Sequence, residues 1–135
     1  MTGVQTCALP ISQVAGIDEL TTAGINTVAE VKAGSVIEYE LDAYDYGFKP
    51  TTLDELGGGT PEFNASITRA ILAGQDVQAR TDVVLLNAGA ALYAADVASD
   101  IRAGIEIARE SIASGRALEK LNGLVAMSQK LGTVA

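Results

Sequence analysis

The sequence predicts an α/β fold with a β-hairpin and about four helices. Three observations predict it. Residues 27–32 (TVAEVK) and 36–41 (VIEYEL) have strand composition on either side of a short turn. Helical periodicity, with capping residues at the expected places, recurs from residue 60 onward. Apolar residues make up 48% of the chain and charged residues 19%, the composition of a packed domain rather than a disordered one.

Taken in order, residues 13–17 are expected to form a short strand that ends before Asp18. Residues 27–32 and 36–41 then pair as a hairpin across Ala33, Gly34 and Ser35. Ile37, Tyr39 and Leu41 fall on one face of the second strand, with Glu38 and Glu40 on a solvated face. Residues 42–50 form a connector broken by Gly47 and Pro50. The first helix opens with Thr60 as N-cap and Pro61 at its first position, then runs to about Ala73 and stops at Gly74. The second runs from about Thr81 to Ala95 and is apolar nearly all round, which predicts burial on most sides. The third is expected to be capped by Ser99, with Ile101, Ile105, Ala108 and Ile112 on one stripe, and to end at Gly115. The last places Leu118, Leu121, Val125 and Leu131 at helical spacing, up to Gly132. Two or three strands do not complete a parallel sheet, so the reading is of part of a larger domain.

Charge and cysteine content narrow the chemistry. The formal net charge is -8 with no histidine, which argues against a nucleic-acid partner. The same field repels phosphate esters unless a cation bridges them, and Mg2+ is the natural bridge. A single cysteine, Cys7, excludes an internal disulfide framework and makes an intracellular compartment the default. The longest apolar stretch, residues 83–95, is interrupted by Asn87 and is too short to cross a bilayer, and no signal peptide is expected. With no histidine there is no catalytic triad or zinc site to assign.

Four features could carry function. Asp18 and Glu19 follow a short apolar strand and precede a polar loop, the position that ligand sites favour in α/β sheets. Adjacent carboxylates are hard oxygen donors suited to Mg2+, although most such pairs are simply solvated. Gly57, Gly58 and Gly59 precede a helix and could cradle a phosphate, but no Lys-Ser or Lys-Thr follows, so a flexible helix entry is the favoured reading. Asn64 and Asn87 are polar positions in apolar helices, better read as satisfied amides than as ligand contacts. Tyr39, Tyr44, Tyr46 and Tyr93 are too scattered for a base-stacking platform.

Several stretches together resemble the anthranilate phosphoribosyltransferase family. They are Gly16-Ile17-Asp18-Glu19-Leu20, Asn26-Thr27-Val28-Ala29-Glu30-Val31 and Gly57-Gly58-Gly59-Thr60-Pro61-Glu62-Phe63-Asn64-Ala65. Ala70-Ile71-Leu72-Ala73-Gly74, Val84-Leu85-Leu86-Asn87-Ala88 and Ser114-Gly115-Arg116-Ala117-Leu118-Glu119-Lys120-Leu121 complete the set, in the family's order. The resemblance implies the C-terminal portion of a phosphoribosyltransferase/nucleoside-phosphorylase-like α/β domain, assigned to residues 13–135. It implies transfer of a phosphoribosyl group from phosphoribosyl pyrophosphate to anthranilate in tryptophan biosynthesis, by a cytoplasmic, homodimeric enzyme. Asp18 and Glu19 match the family's Asp-Glu pair and by that match would hold Mg2+. No other residue is carried over as catalytic or cofactor-binding. The family's glycine-rich pyrophosphate loop, anthranilate-binding residues and helical dimerisation domain have no counterpart in this chain, so it is expected to be inactive alone, and the unpaired edge of its sheet predicts marginal stability. Ala23-Gly24-Ile25-Asn26 also stands where the family commonly has Gly-Pro-Thr.

Residues 1–11 (MTGVQTCALPI) have no strand or helix period and resemble a short-read sequencing adapter translated in frame. Residues 1–12 are therefore expected to be a non-native, disordered segment. Three competing readings are a pyrimidine nucleoside phosphorylase of the same fold, a nucleic-acid-binding transferase-like paralogue, and a structural helical module. The Asp-Glu pair fits the first less well, the charge opposes the second, and the ordered set of stretches is unexplained by the third.

Overall fold

The computed structural model describes residues 7–11, 17–75 and 78–132. Among them, three antiparallel strands, β1 (Cys7–Ile11), β2 (Ile25–Lys32) and β3 (Ser35–Asp42), form a sheet in the order β1-β2-β3. A 3-10 turn (Ala43–Tyr46) leads into five helices: α1 (Leu53–Leu56), α2 (Pro61–Leu72), α3 (Gln78–Ala94), α4 (Ile101–Ala113) and α5 (Arg116–Gly132). The expected α/β class and hairpin are present.

The hairpin closes by the tightest available turn. Ala33 and Gly34 both take positive φ, 50° and 79°, and Lys32 faces Ser35 as the last pair. Two consecutive left-handed residues match the right-handed twist of the strands they join. Val28 faces Tyr39 and Asn26 faces Leu41 on the inner side, where Val28 and Leu41 are buried. Glu38 and Glu40 are exposed, as the alternation predicts. Ile37 is exposed as well, because the hairpin tip extends past the core.

The strand expected over residues 13–17 lies outside the described residues except for Ile17, which belongs to no strand. The expectation of disorder over residues 1–12 is corrected for Cys7–Ile11, which pairs antiparallel with β2 from Cys7 opposite Val31 to Ile11 opposite Thr27. The physical reason is that ladder pairing uses backbone groups that any extended segment offers. Pro10 is tolerated because β1 is an edge strand.

The core lies between the inner face of the sheet and the α3–α4 pair. Val28 and Leu41 meet Leu85 and Leu86 from α3 and Ile101, Ile105 and Ala108 from α4, with Leu20 and Phe48 contributed by loops. The expected stripe on α4 is therefore the buried one. Helix α3 buries Leu85, Leu86 and Gly89, and of its other described residues only Ala91 is exposed, the rest being half-buried. The cap of α4 is corrected. Asp100, not Ser99, accepts from the Ala103 N–H at 2.8 Å, since a carboxylate at a helix N-terminus also meets the positive end of the dipole. Thr60 caps α2 as expected, accepting from the Phe63 N–H at 3.3 Å. The additional short helix α1 is held by a capping box between Thr52 and Glu55. Among the described residues, α5 has no buried side chain.

Candidate functional site

The acidic loop is placed by amide side chains rather than by regular structure. Asn26 is fully buried on β2. Its Oδ1 accepts from the Thr21 N–H at 2.7 Å, and its Nδ2 donates to the Thr21 carbonyl at 2.9 Å and to the Leu41 carbonyl at 3.1 Å. Asn87, half-buried on α3, does the same for the preceding residue. Its Oδ1 accepts from the Leu20 N–H at 3.0 Å, and its Nδ2 donates to the Leu20 carbonyl at 2.7 Å and the Val83 carbonyl at 2.9 Å. Thr22 and Thr51 share a hydroxyl bond of 2.6 Å, and the Thr51 N–H donates to the Thr22 carbonyl. Three consecutive loop residues thus have backbone partners supplied by a helix, a strand and a second loop.

Asp18 and Glu19 sit just before these pinned residues, adjacent at a bend and exposed. Neither takes part in an ion pair or hydrogen bond among the described residues. Glu19 opens on a groove of about 600 Å³ between the loop, α1 and α3, lined also by Leu20, Leu56, Gly57, Val83 and Asn87. Among the described residues no three His, Cys, Asp or Glu side chains converge on one point. Two adjacent hard oxygen donors, accessible and without a partner among the described residues, fit a hydrated cation such as Mg2+. That ion takes one or two carboxylates and leaves its other positions to water and phosphate. They do not fit a closed all-protein site.

The glycine segment shares the groove through Gly57, but the Gly57 and Gly59 amides are used internally. The Gly57 N–H donates to the Asp54 carbonyl at 3.2 Å. The Asn64 amide clamps Gly59, accepting from its N–H at 2.8 Å and donating to its carbonyl at 3.2 Å. The helix-entry reading is the one the geometry supports. Asn64 is a satisfied amide, but on an exposed face of α2 rather than in a core.

Sequence reasoning missed a second polar cluster. Glu30 is only 7% exposed on the inner face of β2. It accepts from the Tyr93 hydroxyl at 2.7 Å and lies 3.9 Å from Lys32 Nζ, which itself donates to the Tyr93 oxygen at 3.0 Å. The signal was present in the period-two set Asn26, Val28, Glu30, which puts a carboxylate among inward positions. Tyr39 joins this cluster. Burial, then the neighbouring Glu30 carboxylate, pushes its hydroxyl up from 10.0 to about 12. The folded chain holds this proton more tightly than the unfolded one. Its contribution to stability is therefore whole below pH 10 and is lost as pH rises through about 12. An ultraviolet titration should show a phenolate step near pH 12, and Tyr39→Phe should reduce its amplitude, the half-buried Tyr46 hydroxyl also being shifted upward. A Tyr39→Phe titration with the full amplitude would rule out the assignment.

The decisive comparison is with protein families. The glycosyl transferase family, a/b domain, matches residues 3–118. The chain belongs to this family. As a glycosyl transferase domain it is 44% identical over 129 residues to anthranilate phosphoribosyltransferase from Shewanella amazonensis, which covers 92% of this chain and 38% of that protein. The chain thus spans well under half the length of that relative. Anthranilate phosphoribosyltransferase from Thermus thermophilus superimposes with a TM-score of 0.73 at 39% identity, over 83% of this chain and 33% of the other. A Saccharomyces cerevisiae anthranilate phosphoribosyltransferase variant with Mg bound superimposes with a TM-score of 0.72 at 26% identity, over 82% of this chain and 32% of the other. Among the described residues no helix of this glycosyl transferase domain is long and apolar enough to cross a membrane.

Proposed function

We propose that this chain is the C-terminal part of an anthranilate phosphoribosyltransferase, and that Asp18 and Glu19 hold Mg2+ at the diphosphate of phosphoribosyl pyrophosphate. The observation that carries the proposal is the 44% identity over 129 residues, a match that covers 92% of this chain. The exposed, unpaired carboxylates beside an open groove support the metal role, as does the bound Mg in the yeast structure. In the reaction the bond from ribose C1 to the pyrophosphate oxygen breaks, and a bond from C1 to the anthranilate nitrogen forms. Bound there, Mg2+ supplies electrostatic neutralisation of the departing pyrophosphate. Asp18 and Glu19 hold the cation in a chain whose net charge of -8 would otherwise repel the substrate. The intact enzyme is homodimeric and cytoplasmic in this reading, and the present chain alone is inactive. The resemblance of residues 1–11 to a translated adapter is set against a family match that begins at residue 3, and sequencing of the gene across its start decides between a foreign and a native origin.

The experiment is complementation. The N-terminal portion of a related anthranilate phosphoribosyltransferase is fused to residues 16–135, and loss of anthranilate fluorescence is followed with phosphoribosyl pyrophosphate and Mg2+. The expected result is turnover that needs both additions. A soluble, folded chimera with no turnover would sink the reading.

A further inference from the structure

We infer that Asn87 and Asn26 are positioning residues for the Asp18–Glu19 metal site, an inference that rests on the metal role proposed above. Each amide treats one loop residue as a β-ladder partner would, engaging both its N–H and its carbonyl. The two clamps act on consecutive residues from opposite sides, Leu20 from helix α3 and Thr21 from strand β2. The Leu20 N–H belongs to the same rigid peptide unit as the Glu19 carbonyl. When Asn87 fixes that N–H it fixes the backbone from which the Glu19 side chain projects. The Leu20 side chain is 2% exposed and locked in the core, so the loop is held by packing as well as by hydrogen bonds. The carboxylates gain no hydrogen bond of their own from this arrangement. Among the described residues they have no partner and stand on a rigid base, as a site must if a cation is to complete it. Asn87 is spread over three bonds, one of them to Val83 in its own helix, so it cannot swing toward a ligand without abandoning the loop.

The test uses the full 135-residue chain with Mn2+ as the probe, titrated by electron paramagnetic resonance alone and with inorganic pyrophosphate. Asp18→Asn with Glu19→Gln serves as the reference. Asn87→Leu removes all three bonds at similar volume. Asn87→Asp keeps the acceptor for the Leu20 N–H, and in place of the donors it sets a negatively charged oxygen against the Leu20 and Val83 carbonyls. Affinity is read at a temperature where circular dichroism shows each variant folded. Asn87→Leu should weaken Mn2+ binding about tenfold or more, as loss of an outer support does at other metal sites, with Asn87→Asp falling between it and wild type. Asn26→Asp should behave like Asn87→Asp. A purely structural role predicts a lower melting temperature with unchanged affinity, and that result in a folded variant overturns the inference. If Asn87→Leu does not fold, Asn87→Asp decides by the same criterion. A wild-type chain that binds no Mn2+, or a reference variant that binds as wild type does, overturns instead the metal reading on which the inference stands.

Discussion

Gly104→Ala should lower the stability of this chain by about 1–2 kcal/mol net and its melting temperature by about 5 °C. A methyl group normally helps a helix, and replacing glycine by alanine in a helix interior gains about 1 kcal/mol. Here the crossing of α3 and α4 opposes it. A Cβ at Gly104 would fall on the Gly89 carbonyl oxygen, with Gly89 C and Cα each at 2.9 Å. The reciprocal Cβ at Gly89 would meet Ile105 Cγ1 at 2.5 Å, Ile105 N at 2.9 Å and Ile101 O at 3.0 Å. The obstacle is mostly backbone, so no rotamer change relieves it and the helices must separate. Leu85, Leu86 and Ile105 around the crossing are each no more than 2% exposed, and separation loosens all of them. Overpacking of this kind costs about 1–3 kcal/mol and occasionally more, which exceeds the helical gain. Gly123→Ala is the control. Its Cβ meets nothing within 4 Å on α5, so it should stabilise by about 0.5–1 kcal/mol. Thermal unfolding followed by circular dichroism checks both, and a Gly104→Ala chain as stable as wild type would mean that the helices do not cross this closely.

The parts of this fold that were legible in the sequence are those whose cause is local. The hairpin could be read because Ile37, Tyr39 and Leu41 alternate with Glu38 and Glu40 and because glycine marks the turn. Helix α2 could be read because Thr60, Pro61 and Gly74 mark its ends. Helix α1 has a local signature too, Thr52 with Glu55 three residues on, but four residues show no period and the segment passes for a connector. What could not be read is what depends on distant partners. A single sequence can flag Asn87 as an amide in an apolar run, but not that it reaches a backbone 67 residues away. The pairing of Cys7–Ile11 with β2 is equally hidden, since an edge strand is recruited through backbone groups that carry no residue code. The Asp18–Glu19 pair was legible as a candidate from its place between an apolar segment and a polar loop, and the family resemblance raised it above the ordinary solvated pair. Its geometric context, two amide clamps and an open groove, comes from three separate elements.

The largest functional effect should come from Asp18→Asn combined with Glu19→Gln in the complementing chimera. The expected loss in kcat/KM is roughly 10³-fold, equivalent to about 4 kcal/mol of transition-state stabilisation. The direction of the change is informative because the two competing roles predict opposite signs. The double substitution removes two negative charges from an acidic chain with a net charge of -8. If the pair were only part of the general surface field, neutralising it would reduce repulsion of a diphosphate substrate, and KM for phosphoribosyl pyrophosphate should fall or stay level. If the pair holds Mg2+, the same change removes two hard oxygen donors. Turnover should then collapse, and raising Mg2+ should recover part of it only at concentrations far above those wild type needs. Both substitutions keep side-chain shape, and both positions are exposed and make no hydrogen bond among the described residues, so the fold should be unaffected. Steady-state kinetics across a Mg2+ series separates the cases. Unchanged Mg2+ dependence with improved substrate binding would remove Asp18 and Glu19 from the site while leaving the family assignment in place.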